Sequence, residues 1–147
     1  MSGPAGSDAG VFYRDIVQGA VREHAYVITP AVYQRFLEAF EDRSPIHVDA
    51  AVALARGFAG PVMHGAILNG FVSHFVGMVF PGSASLLLSV DLRFSQPCYL
   101  GDVLNLEAKV AQKVDAHQVI VLHVSFFNRT RQYVATTGRL QVQVRDS

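Results

Sequence analysis

Residues 61–80 read PVMHGAILNGFVSHFVGMVF. From Gly65 onward, Ile67, Leu68, Phe71, Val72, Phe75, Val76, Met78, Val79 and Phe80 recur at helical spacing and occupy more than one face of the helix. A helix that is apolar nearly all round lies inside a protein or inside a membrane. Spanning a bilayer takes about 20 predominantly apolar residues. This run is shorter and carries His64, Asn69, Ser73 and His74, so it is expected as a buried helix. Gly65, Gly70 and Gly77 are expected to let neighbouring backbone come close, and Pro81-Gly82 stops the helix.

Working outward, everything downstream reads as strand. Leu88, Val90, Leu92 and Phe94 alternate with Ser89, Asp91 and Arg93 over residues 85–94. Leu104, Leu106, Ala108 and Val110 alternate with Asn105, Glu107 and Lys109, and residues 119–127 are apolar on both faces, as in a central strand. Val134, Gly138, Leu140, Val142 and Val144 form a last alternating set. Upstream, residues 23–29 alternate as a first strand. Thr29-Pro30 is a helix start, with threonine as the N-cap and proline in the first turn. Val32, Phe36 and Phe40, flanked by Tyr33 and Leu37, make a stripe expected on the core. Pro45 disfavours helical geometry at Ser44, so residues 42–47 are expected as an irregular connection. Asp49 can cap a short turn over residues 50–56, closed by Gly57. The fold class is therefore α+β: one long central helix wrapped by a mostly antiparallel sheet of about five strands.

The chain has 147 residues, enough for one domain with a core that buries about 68–70% of the unfolded surface. Residues 1–10 are small and polar and read as a disordered start, leaving residues 11–147 as a single domain. That start lacks the apolar segment of a signal peptide, so a cytoplasmic protein is expected. Twelve acidic and twelve basic side chains balance, which argues against a nucleic-acid partner or an anionic membrane surface. The single cysteine, Cys98, leaves no disulfide framework and reads as a small buried filler. Six histidines without ligand spacing predict no metal site.

Reactive side chains come together at one place. Asp42 and His47 sit on one short loop with Pro45 between them. A carboxylate and an imidazole so placed can bracket a water. An imidazole exchanges a proton near neutral pH, and a carboxylate can orient it or accept the water's proton. The plainer reading is two surface hydrogen-bonding residues. Gly65 opens the long helix, where unpaired N–H groups carry partial positive charge. Its N–H suits an oxyanion such as an enolate-like thioester oxygen. The plainer reading there is close packing.

These same residues carry a resemblance. The segment from Phe36 to Gly65, FLEAFEDRSPIHVDAAVALARGFAGPVMHG, resembles the signature of the MaoC-like (R)-specific enoyl-CoA hydratases, which have the hot-dog fold. Asp42, Pro45, Ile46 and His47 match its first part, and Pro61, His64 and Gly65 match a later Pro-x-x-His-Gly. Arg93-Phe94-Ser95-Gln96-Pro97 and Gly101-Asp102 are similar to a second block shared with hot-dog thioesterases. The resemblance covers about residues 23–144. It implies hydration of a trans-2-enoyl thioester to the (R)-3-hydroxyacyl thioester, and the reverse dehydration. Asp42 and His47 would activate the water and the Gly65 N–H would hold the oxyanion. It implies no metal or redox cofactor, because coenzyme A or an acyl carrier arrives with the substrate. It also implies a homodimer.

Two positions depart from the family pattern. Phe40-Glu41 stands where Ser-Gly is usual, and Ser44 stands where Asn is usual. Ser44, His64, Ala66, Asn69 and Gly70 complete the expected substrate-binding set. Asn69 and Ser73 share a helix face toward an acyl pocket or a partner subunit. Arg43 is a solvated loop residue or a contact to a coenzyme A phosphate, and His74 a core or interface residue. The competing activities are a hot-dog acyl-CoA thioesterase and a non-catalytic acyl-thioester-binding subunit. The absence of Asp and Glu from residues 65–80 argues against thioesterases that place a carboxylate on the long helix.

Overall fold

The computed structural model describes residues 10–146. The expected disordered start falls outside them except for Gly10, whose N–H donates to the Ser83 hydroxyl at 3.2 Å. In chain order the elements are β1 (Val21–Val27), α1 (Pro30–Phe40), α2 (Pro45–Val48), α3 (Ala50–Ala55), α4 (Ile67–His74), β2 (Ser85–Phe94), β3 (Val103–Val114), β4 (Val119–Asn128) and β5 (Tyr133–Val144). The strands form one antiparallel sheet in the order β1-β3-β4-β5-β2.

α4 is the helix that the sheet covers. It continues through a wider π-helical turn, Phe75–Val79, closed by Phe80 N–H on the Phe75 carbonyl at 2.8 Å. The expected long helix thus starts at Ile67, two residues past Gly65. Ile67, Leu68, Phe71, Val72, Phe75 and Val76 are buried against the sheet. The inner sheet face is the predicted one: Leu104, Leu106, Ala108 and Val110 of β3 are buried, as are Leu140, Val142 and Val144 of β5. β4 is central and buries Ile120, Leu122, Val124 and Phe126. Each such side chain removed from water contributes about 1.5–3 kcal/mol. Tyr13 and Ile16 close the end of the core ahead of β1. Among the described residues no helix is long and apolar enough to cross a membrane.

Three details differ from the alternation pattern, each for a local reason. β2 carries a bulge between Leu87 and Ser89. The extra residue turns Leu86 and Leu88 outward and leaves Leu87, Val90 and Leu92 to pack on the core. β5 carries a separate irregularity against β4, opposite Phe126 and Phe127. Ala135 is the additional residue there; it is buried while Val134 is exposed. The Ala135 carbonyl accepts from Ser95 N–H and Gln96 N–H, which holds the segment leaving β2. Finally, Phe40 is 70% exposed, because α1 ends there and only Val32, Tyr33, Phe36 and Leu37 reach the core. Gly70 and Gly77 also face open space within this chain. A methyl group on either would meet nothing within 4 Å, so neither marks a close backbone approach.

Candidate active site

The chain from α1 to α4 builds the site. Thr29 caps α1 by accepting from Val32 N–H at 3.1 Å. At the other end Glu41 adopts the left-handed conformation (φ 56°), and its N–H closes on the Leu37 carbonyl. That reversal sends Asp42 out of the helix. Ser44 then folds back on it: the Ser44 hydroxyl donates to Asp42 Oδ1 at 2.8 Å and the Ser44 N–H to the same oxygen at 3.2 Å. Ser44 is extended, as the residue before a proline must be, and Pro45 opens the one-turn helix α2. The expected irregular connection therefore contains a helical turn, and His47 lies on it. Tyr33 of α1 donates its hydroxyl to the His47 carbonyl. Asp49 caps α3 through Ala51 N–H and Val52 N–H, as expected.

His47 Nδ1 lies 2.7 Å from the Val62 carbonyl. A carbonyl only accepts, so Nδ1 carries the hydrogen and Nε2 presents a lone pair. Nε2 is 3.8 Å from Asp42 Oδ2, the carboxylate oxygen that Ser44 leaves unoccupied. This gap is too long for a direct hydrogen bond and suits one bridging water, which has two hydrogens for two acceptors. The Ser44 hydroxyl and then the Ser44 N–H hold the Asp42 carboxyl below the usual carboxylate range.

His64 is buried beneath this pair. Its Nε2 bonds the Asp42 backbone carbonyl at 2.7 Å, and its ring stacks on that of His47 at 4.0 Å and 25°. His64 Nδ1 is buried and has no partner among the described residues. Ligating atoms of Asp42, His47 and His64 come within 4.8 Å of one another, so these histidines are not scattered, as the spacing had implied. Two imidazoles stacked at 25° keep their in-plane lone pairs in two nearly parallel planes. A tetrahedral ion needs ligands that converge, so one ring would have to rotate before all three residues could hold a metal.

Gly65 shares a cavity of about 350 Å³ with His47; Met63, Leu68, Phe94 and Cys98 form its apolar wall. Among the described residues the Gly65 N–H has no acceptor, as expected at a helix entrance. Packing is also tight here, because a Cβ would meet the Phe94 ring at 3.0 Å and the ring would have to give by a few tenths of an ångström. Both readings of Gly65 are compatible with this geometry. Ala66, Asn69 and Gly70 line a different space, an apolar groove of about 750 Å³ between α1 and α4. Ser73 is exposed on the same helix, and the His74 ring pairs with the Tyr26 hydroxyl at 2.9 Å. Arg43 is exposed and makes none of these contacts. Cys98 is buried, and burial pushes its thiol up to about 11, so it carries no thiolate at neutral pH.

The MaoC like domain family matches residues 14–126. The chain belongs to that family. It is 30% identical over 104 residues to the (R)-specific enoyl-CoA hydratase of Aeromonas caviae, covering 71% of this chain and 77% of the relative. It is 26% identical to the 3-hydroxybutyryl-CoA dehydratase of Methylorubrum extorquens, over 71% of this chain and 66% of that protein. Among solved structures, the unliganded R-hydratase PhaJ1 of Pseudomonas aeruginosa superposes with a TM-score of 0.84 at 26% identity, covering 94% of this chain and 88% of that one. The helix-in-sheet arrangement is the hot-dog fold of these MaoC-like hydratases.

Within this MaoC-like site, motif reading locates Asp42, Ser44, His47, His64 and Gly65, and the structure brings all five to one corner. It does not find the Val62 carbonyl that fixes the His47 tautomer, since a backbone oxygen has no sequence signature. Nor does it find the Tyr33 hydroxyl or Phe94 as neighbours of the site: both read only as members of apolar stripes.

Proposed function

We propose that the chain adds water to trans-2-enoyl thioesters to give (R)-3-hydroxyacyl thioesters, and catalyses the reverse dehydration. The observation that carries this reading is the pair of acceptors, His47 Nε2 and Asp42 Oδ2, 3.8 Å apart beside the cavity that holds the Gly65 N–H. A water donating one hydrogen to each acceptor turns its own lone pair outward, toward C3 of the substrate. As the oxygen–C3 bond forms, the double-bond electrons move toward the thioester carbonyl, whose developing negative charge is met by the Gly65 N–H. Asp42, held at low proton affinity by Ser44, is the weaker base and orients the water. The imidazole takes the water's proton and passes it to C2 as the enolate collapses. Water adds as OH at C3 and H at C2, and no electrons are left over. In this mechanism neither a metal nor a redox cofactor takes part, and coenzyme A or a carrier protein arrives with the substrate.

Ser44 and His64 act by positioning Asp42. Ala66, Asn69 and Gly70 offer an apolar groove to a longer acyl chain. A homodimer is part of the proposal, since β1 and β2 each end the sheet with one unpaired edge; light scattering at micromolar concentration should give twice the chain mass. A cytoplasmic location agrees with a single buried thiol.

The test is loss of the conjugated enoyl-thioester absorbance of crotonyl-CoA, wild type beside Asp42→Asn, with free thiol followed in the same cuvette. Loss without thiol release, reduced at least ~10²-fold by the substitution, is expected. Thiol release would replace hydration by thioester hydrolysis, and near wild-type turnover in folded Asp42→Asn would remove the assignment.

A further inference from the structure

We propose that Arg131 binds an anionic oxygen group of the substrate in a second cavity that opens on His47; this rests on the thioester reading above. Arg131 lies in the turn between β4 and β5. Its Nε donates to both oxygens of the buried Asp102, at 2.9 and 3.2 Å. Asp102 is itself held by the Tyr99 N–H at 3.0 Å and by Asn128 Nδ2 at 2.7 Å. The guanidinium carbon sits 4.0 Å from the centre of the Tyr99 ring. One edge and one face of the guanidinium are thus fixed. The remaining edge, Nη1 and Nη2, makes no hydrogen bond among the described residues, and the side chain is one-third exposed.

Arg131, Tyr33, Tyr99 and His47 share a cavity of about 340 Å³ that no Asp or Glu lines. His47 also walls the Gly65 cavity. A substrate whose reacting carbons lie against His47 can therefore extend into the Arg131 space. A guanidinium held in a fixed plane with two parallel N–H groups unused matches a carboxylate or a phosphate, both of which accept two such bonds. Immobilisation by Asp102 and Tyr99 lowers the ordering cost of that contact. A thioester substrate carries such a group in one of two places: a carboxylate at the far end of the acyl chain, or the phosphates of the carrier arm.

The experiment measures binding by calorimetry, so it needs no turnover. Saturated thioesters serve as probes: butyryl-CoA, glutaryl-CoA and butyryl-N-acetylcysteamine, against wild type and Arg131→Gln. Glutaryl-CoA adds an acyl carboxylate, and the N-acetylcysteamine thioester lacks the phosphates. We expect the substitution to weaken at least one CoA thioester roughly tenfold or more while leaving the N-acetylcysteamine thioester unchanged. Weakening confined to glutaryl-CoA assigns the acyl carboxylate; equal weakening of both CoA thioesters assigns the carrier phosphate. No weakening, or equal weakening of all three probes, overturns the inference and leaves Arg131 as the partner of Asp102 alone. Arg131→Lys keeps a cation beside Asp102 but not the fork. It should show the same pattern to a smaller degree, and it carries the test if Arg131→Gln does not fold. Wild type that binds none of the probes overturns this inference and the hydratase reading together. Wild type that binds them but never hydrates crotonyl-CoA overturns the hydratase reading alone.

Discussion

Asp102 is buried, and both of its carboxylate oxygens accept hydrogen bonds, from Tyr99 N–H, Asn128 and Arg131. Asp42 is half exposed, and Ser44 occupies only its Oδ1. Both aspartates follow a helix or a turn, and both lie within motifs of the same family. One is saturated, and its surroundings collapse if it is removed. The other keeps one oxygen for something that is not protein. The proposed mechanism uses the carboxylate that has an unused acceptor facing an imidazole, and leaves the one with both oxygens bonded to hold its neighbours in place.

Substitutions at the two positions should separate cleanly. Asp42→Asn should lower kcat by at least ~10²-fold with little change in the urea midpoint. Asp102→Ala should do the opposite, costing about 3 kcal/mol by urea denaturation because Arg131, Tyr99 N–H and Asn128 lose their common acceptor. The kcat of its folded fraction should stay within a few-fold of wild type. A stable, inactive Asp102→Ala would break the comparison. Gly65→Ala tests a position where both roles meet. Its methyl would press on the Phe94 ring by a few tenths of an ångström, so a loss of about 1 kcal/mol, the low end for overpacking, is expected. Phe94→Leu in the same chain should restore most of that loss. Activity that also returns would show that the Gly65 N–H is intact in the double variant. The smallest effect is expected from Ser44→Ala. The hydroxyl is the first cause of Asp42's lowered proton affinity, so its removal raises that affinity. Orienting the water needs ionised Asp42, so the acidic fall-off of kcat/KM should move to higher pH. At neutral pH the change should remain below about tenfold. An unmoved acid limb would mean that Asp42 does not control it.

The parts of the fold that follow from local pattern were legible in the sequence. The β3 alternation, the Thr29-Pro30 start of α1, the Asp49 cap and the buried α4 each depend on residues a few positions apart. What the pattern missed depends on residues far apart. The bulge at Leu88 lies in the β2–β5 pairing and that at Ala135 in the β4–β5 pairing, and each reverses the facing of a leucine or valine that strict alternation had placed inside. Phe40 continues the helical period but lies past the edge of the core. In the site, the proximity of Asp42, His47 and Gly65 was readable because residue type and motif spacing single them out. The stacking of His47 on His64 and the Arg131–Asp102 pair were not readable, because they join segments that meet only in the folded chain. The two departures from the family pattern resolve differently. Ser44 still reaches Asp42 with both its hydroxyl and its N–H. Glu41 takes a left-handed conformation that glycine adopts with less strain, at a cost of about 1–2 kcal/mol.

The strand order has a consequence for how the molecule comes into being. β3, β4 and β5 are consecutive in both sequence and sheet, joined by short turns, so they can zip together from nearby contacts. β1 and β2 precede that meander in the chain and attach to its opposite margins, at a higher loop-closure cost. Every catalytic candidate lies between those two strands. The sheet centre is therefore expected to assemble before the site does, and recovered activity during refolding reports the last edges to dock.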